Sequence, residues 1–224
     1  MVVASCAVVV AGVLSIGLDV HAMWTVRSAP SSDLEIRIIR RGDWWQLDYA
    51  RGPLFVTSAN ELHLPAAERV TLAYSGKTPL RIPNTICLPR GANRCVVVAA
   101  VPARFLRRDL PIVVQSRADF DRWLANEVRP ANVSPIAASM FRNDGCAYCH
   151  VIRGVVNEPS TVAPDLTHFA SRATIAASGL PNRRGQLTGW VVHSRGVKPK
   201  SEMPDNAMRP AALHAVVSLL ESLH

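Results

Sequence analysis

Cys146-Ala147-Tyr148-Cys149-His150 constrains this 224-residue chain more than any other feature. Two thiols three positions apart, followed at once by an imidazole, have the spacing of a c-type haem attachment site. The thiols can form thioether bonds to the two vinyl groups of one porphyrin, and the imidazole on the same turn then points at the iron. A zinc half-site needs further soft ligands, and no Cys follows Cys149. A redox dithiol does not require His150, and no strand–helix–strand pattern surrounds the motif. The sequence therefore predicts one covalent haem c, with His150 as an axial metal ligand.

The second axial ligand is sought downstream among Met203, Met208, His168 and His193. Met203 precedes Pro204 at the end of Val197-Lys198-Pro199-Lys200-Ser201-Glu202. A methionine on an extended, proline-stiffened loop approaches the distal face with no helix backbone in the way. Its thioether is a soft, neutral ligand that raises the reduction potential. Met208 reads as a core methionine, and the two histidines as solvated surface groups. Met203 is the predicted ligand.

The N-terminus sets a second constraint. Val2 to Leu18 is apolar or small and uncharged, and no Lys or Arg precedes Arg27. Roughly 17–25 such residues span a bilayer as a helix. Asp19 falls near the exit, and Trp24 where an interfacial aromatic belongs. Residues 1–26 are thus read as a retained transmembrane anchor. Val20-His21-Ala22 offers a signal-peptide cleavage pattern instead, but there is no cationic n-region. A lipoprotein signal at Cys6 is disfavoured because Cys6 precedes the apolar run. Each reading sends the rest of the chain across the membrane. Arg27, Arg37, Arg40 and Arg41 then lie outside, against the positive-inside tendency; an upstream segment or a partner subunit could set the orientation.

Between about residues 33 and 124 the pattern is of short strands. Leu34–Ile39, Glu61–Leu64, Arg69–Tyr74 and Cys95–Val98 are separated by turns at Arg41-Gly42-Asp43, Ser75-Gly76-Lys77 and Arg90–Asn93. This predicts an all-β sandwich over 27–130. Asp119–Glu127 reads as a helix with Phe120, Trp123 and Leu124 on one face. Arg129–Pro135 reads as a linker. Residues 131–224 are helical with long loops, and close in an amphipathic helix, Ala211–Leu223, started by Arg209-Pro210. The chain is therefore multidomain: anchor, β-sandwich and all-α haem domain.

The C-terminal stretches Gly145–His150, Arg153-Gly154, Ala163-Pro164-Asp165-Leu166-Thr167-His168, Ala170–Ala177, Leu180-Pro181-Asn182 and Leu187-Thr188-Gly189-Trp190 resemble the class I cytochrome c domain fused to subunit II of some bacterial haem-copper (cytochrome c) oxidases. The resemblance continues upstream in Gly42–Tyr49, Thr57–Pro65 and Asp119–Leu124, and makes the sandwich cupredoxin-like. It implies that Pro164 shapes the loop beside His150, and that Arg172 and Trp190 lie near the haem propionates. Both can donate hydrogen bonds to carboxylates. A plain core aromatic is the other reading of Trp190. Leu219 stands where that family usually has an aromatic.

Subunit II of that family holds a binuclear copper A centre. Here no histidine lies between His63 and His150, no methionine between Met23 and Met140, and Leu80 stands near the first copper histidine's place. Soft copper sites need imidazole and thiolate together. The cupredoxin-like domain is thus read as degenerate, with no copper. Cys87 and Cys95 are open to either a disulfide or a buried free thiol. His63 is read as a packing or surface residue. Trp44 and Trp45 are read as core or interface aromatics, against the electron-route role of the family's aromatic strand.

Lys and Arg number 25 against 17 Asp and Glu, a formal charge of +8. Export and the lack of an aromatic-interleaved basic motif argue against nucleic acid as partner. The expected function is that of a membrane-anchored electron-transfer subunit in a respiratory chain. It carries electrons from a soluble donor to a membrane catalytic subunit of haem-copper type, and is not catalytic alone. The expected location is the bacterial inner (cell) membrane, with the C-terminal domains on the periplasmic side. The alternatives are the electron-input subunit of a nitric oxide reductase of the same superfamily, and a docking, assembly or haem-sensor module.

Overall fold

A computed structural model describes residues 34–75, 85–89, 94–99, 102–105, 110–156, 158, 160 and 162–224. The expected anchor, residues 1–26, lies outside the described residues. Among the described residues no helix is long and apolar enough to cross a membrane.

The N-terminal half is a two-sheet β-sandwich. Its larger sheet contains β1 (Leu34–Arg41), β2 (Trp44–Arg51), β3 (Leu54–Ala59), β5 (Arg69–Tyr74), β6 (Thr85–Pro89) and β7 (Arg94–Ala99), in the order β3-β2-β1-β5-β7-β6. The smaller is β4 (Leu62–Pro65), β9 (Ile112–Gln115) and β8 (Ala103–Phe105), with β9 central. β1 pairs β5 in parallel, and β4 pairs β9 in parallel. Alternation explains the packing. Leu34, Ile36 and Ile38 of β1 are buried while the residues between them are half-exposed, because successive side chains leave opposite faces of a strand. They share a core with Leu47, Tyr49, Leu62, Leu64, Leu72 and Ile112. The ladder pairs Cys87 with Val97 and Cys95 with Pro89, so the two cysteines are offset by two residues rather than directly paired.

Helix α1 (Arg117–Glu127) closes this core with Phe120 and Leu124. Ser116 caps it, accepting the Asp119 amide at 3.1 Å. Trp123, on the same face, lies edge-on to Tyr49 and stacks on His63 with ring centroids 4.2 Å apart. His63 therefore serves packing. The run Thr57–Pro65 spans the end of β3 and all of β4, with a break at Asn60. Asn60 sits at φ +62°, its side chain accepts the Trp45 amide at 2.8 Å, and its own amide donates to Trp45 O at 3.0 Å. That corner lets β3 and β4 enter different sheets.

The C-terminal half has its own core. Helices α2 (Pro135–Asn143), α3 (Arg184–Val192) and α5 (Pro210–Ser222) pack Phe141, Leu187, Val191, Val216, Val217 and Leu220 together. α4 (Ser194–Val197) is a single turn after α3. Leu219 is buried in the same cluster and fills its place. Thr174–Ile175 and Leu180–Pro181 form a short hairpin, β10 and β11.

Ser32–His224 is one compact unit in which polar contacts tie the two cores. Glu61, only 3% exposed, accepts the Ala173 amide of the helical half at 3.0 Å and pairs with Arg104 and with His63. Burial pushes the Glu61 carboxyl up, but His63, the Ala173 amide and Arg104 outweigh it and hold it below the ordinary value. A depressed folded-state value adds stability above the unfolded value near 4.5 and loses it as pH falls through the folded value. Glu61→Gln is expected to cost about 2 kcal/mol at pH 7. It should also flatten the acid limb of a thermal-midpoint profile below about pH 4.5, and an unchanged acid limb would contradict this.

Candidate haem site

The motif folds as one compact turn. Ser134 accepts the Ala137 amide and Pro135 takes the first position, which starts α2 with little lost hydrogen bonding. Asp144 ends it, and Gly145 follows at φ +82°, a left-handed conformation that favours glycine. Cys146–Tyr148 then forms a 3-10 turn, and the amides of Cys149 and His150 both donate to Cys146 O, at 3.2 and 3.0 Å. Tyr148 is turned to solvent, 88% exposed. Cys146, Cys149 and His150 all line one cavity of about 370 Å³.

His150 Nδ1 lies 2.7 Å from the Pro164 carbonyl oxygen. A carbonyl only accepts, so Nδ1 carries the proton and Nε2 keeps its lone pair. Loss of solvent holds this imidazole below its ordinary value, outweighing the Pro164 bond, so it stays neutral. A metal-ligating histidine needs that state and that orienting bond. Pro164 thus acts through its carbonyl. Burial pushes the Cys146 thiol up, with Asp144 adding to it.

Met203 lines the same cavity from the loop after α4. Ser194 Oγ donates to Met203 O at 2.7 Å, and Met203 N–H donates to Ser201 Oγ at 3.2 Å. Beyond it, Asp205 accepts the Arg195 amide at 2.9 Å, and Asn206 Nδ2 donates to Val191 O at 3.0 Å. The loop is therefore pinned on both sides of the thioether. The Arg195 amide, with His193 and Ser194, holds the exposed Asp205 carboxyl low.

Of the other ligand candidates, His168 and His193 line neither this cavity nor the smaller pocket beside it, whereas Met208 lines that smaller pocket with Cys146, His150 and Met203. His168 is buried with its ring nitrogens 2.8 Å from His224 O and 3.0 Å from Arg129 O. His193 is exposed and 3.0 Å from Asp205. Met208 packs against the helical core.

Arg172 and Trp190 line the cavity with Pro164. Arg172 donates to the Asp165 carbonyl, and burial lowers its guanidinium against the pull of Glu127, Asp165 and Glu61. Thr174 Oγ1 is buried there with no hydrogen-bond partner among the described residues. An unpaired buried hydroxyl beside a guanidinium suits an anionic ligand edge. Ala176, Ala177 and Ser178 run at φ +54°, +50° and +75°, strained backbone of the kind that collects at ligand sites, and both alanines face the cavity wall. Among the described residues no three His, Cys, Asp or Glu side chains gather into an ion site. Two thiols, a neutral imidazole, a thioether, a guanidinium and an orphaned hydroxyl around one cavity fit a covalently held haem.

Residues 136–224 match the family model for cytochrome c. No curated protein matches the chain. A cytochrome c domain carries covalently bound haem c and transfers electrons. In this cytochrome c domain Cys146, Cys149 and His150 form a Cys-x-x-Cys-His motif, and Met203 lines the same cavity.

Three lining residues, Asp43, Trp44 and Asn60, come from the β-sandwich. Sequence reasoning did not place them here. The Gly42-Asp43 turn and the paired tryptophans were visible, but nothing local says where a turn tip docks.

Cys149→Ser is expected to leave a single thioether. Haem staining on a denaturing gel should persist in that variant and vanish in Cys146→Ser/Cys149→Ser. Full-strength staining of the double variant would contradict the assignment.

Proposed function

We propose that this chain is a membrane-anchored c-type cytochrome subunit of a respiratory haem-copper oxidase-like complex. It takes electrons from a soluble donor and delivers them to a membrane catalytic subunit. The observation that carries the reading is the meeting of His150 and Met203 at one cavity in a cytochrome c domain. An imidazole and a thioether at one cavity would leave no open position on a bound haem iron, which suits electron transfer and not substrate turnover. The neutral thioether sets a high potential.

The complex and its location rest on the sequence. The uncharged run Val2–Leu18 supports an anchor in the bacterial inner membrane with both folded halves on the periplasmic side. The stretches Gly42–Tyr49, Thr57–Pro65 and Asp119–Leu124 support a subunit II-like, cupredoxin-derived sandwich. The histidine-free span from His63 to His150 supports the loss of copper A, so electrons pass directly from the cytochrome c domain to the catalytic subunit. Most of the positive excess lies in residues 27–130, so the sandwich is the face for an acidic partner surface.

Gentle detergent purification from the native membrane, with haem staining, should recover a haem-copper catalytic subunit; recovery of the cytochrome alone would contradict the proposal. Turnover of oxygen or of nitric oxide by that complex then identifies the terminal acceptor. Met203→Leu should open the sixth position. The reduced variant is expected to bind carbon monoxide where the wild type does not, and its potential should fall. Carbon monoxide binding by the wild type would exclude Met203 as ligand.

A further inference from the structure

The β-sandwich reaches the haem cavity at the turn joining β1 and β2 and at the Asn60 corner between β3 and β4. Asp43 and Trp44 at the tip of that turn line the cavity together with Met203 and His150. Lys198, on the loop leading to Met203, donates its ammonium to the Asp43 carbonyl at 2.8 Å and lies 3.0 Å from Asp43 Oδ2. The two side chains are only 20% and 28% exposed, so this pair is shielded from much of the solvent screening that weakens surface pairs. Gly42, at φ +47°, packs so closely on Glu202 that a Cβ there would collide with its carboxylate. Glu202 is the residue before Met203. The turn therefore touches the methionine loop at two points.

The tip is held from behind. Trp45 and Asn60 exchange hydrogen bonds of 2.8 and 3.0 Å, and the Arg40 guanidinium lies 4.8 Å over the Trp45 ring. That corner fixes Asn60, which also lines the cavity, and sets Trp44, 6% exposed, against it. None of these residues belongs to the segment that matches cytochrome c, which begins at residue 136.

We infer that the β1–β2 turn is a built-in closing element of the haem crevice. Trp44 and Asn60 complete the cofactor pocket, and the Asp43–Lys198 pair is a latch that positions the Met203 loop. The inference rests on the haem reading of this cavity. With the latch closed, external ligands reach the iron only when the Met203 loop moves. Asp43 and Lys198 act through that loop, so they are positioning residues and not ligands.

A charge-swap series in the full-length holoprotein tests this. The readout is the rate at which added imidazole displaces the methionine ligand from the ferric protein, followed by absorbance. Asp43→Lys and Lys198→Asp are each expected to raise that rate roughly tenfold, the scale for breaking a partly buried ion pair. The double swap Asp43→Lys/Lys198→Asp restores the carboxylate–ammonium pair but not the bond to the residue 43 carbonyl, so it should return the rate part of the way, below both single variants. Asp43→Asn, a milder change, gives a second reading if Asp43→Lys does not fold, and should fall between wild type and the single swaps. Rates equal to wild type in the single variants and in Asp43→Asn would overturn the latch, as would a double swap no slower than the singles. A wild type with no haem absorption would instead overturn the haem reading beneath it, and a purely high-spin ferric spectrum the Met203 ligation.

Discussion

The hydrogen bond from His150 Nδ1 to the Pro164 carbonyl organises the haem half. It joins the attachment turn to the loop that leads into Arg172 and the β10–β11 hairpin. It also fixes the tautomer, so that the other ring nitrogen keeps the lone pair a metal would need. The turn that presents His150 exists because Gly145 accepts a left-handed conformation directly after α2. The cavity is then closed by a loop whose own polar groups are spent on Ser194, Asp205 and Asn206, leaving the Met203 thioether as the group without a structural task.

The two halves meet through few but well-partnered contacts. Glu61 on the Ala173 amide and Asp43 on Lys198 each cross more than a hundred residues of sequence. Both contacts reach the cavity wall: Ala173 follows the lining residue Arg172, and Asp43 and Lys198 line the cavity themselves. The sandwich thus supports both the Arg172 and the Met203 walls of the cavity. Apolar burial holds each half together, and charged hydrogen bonds hold them in register.

Legibility in the sequence followed the range of each interaction. The attachment turn was readable because its chemistry is confined to five consecutive residues. α5 was readable because Leu213, Val216, Val217 and Leu220 repeat at helical spacing, and the structure buries that stripe. β1 and β5 were readable by alternation. The corner at Asn60 was not, because its positive φ depends on the Trp45 backbone fifteen residues away. Nor was the left-handed run Ala176–Ser178, which uses no glycine. The β-sandwich residues at the cavity were hidden for the same reason, since docking of the Asp43 turn is decided by Lys198 and Glu202, remote in sequence.

The most direct test of the account is the ligand field of the ferric full-length protein, read by low-temperature electron paramagnetic resonance together with far-red absorption. Ligation by His150 and Met203 predicts a low-spin ferric signal accompanied by the weak sulfur-to-iron charge-transfer band. A high-spin signal, or a low-spin bis-histidine signal without that band, would contradict it.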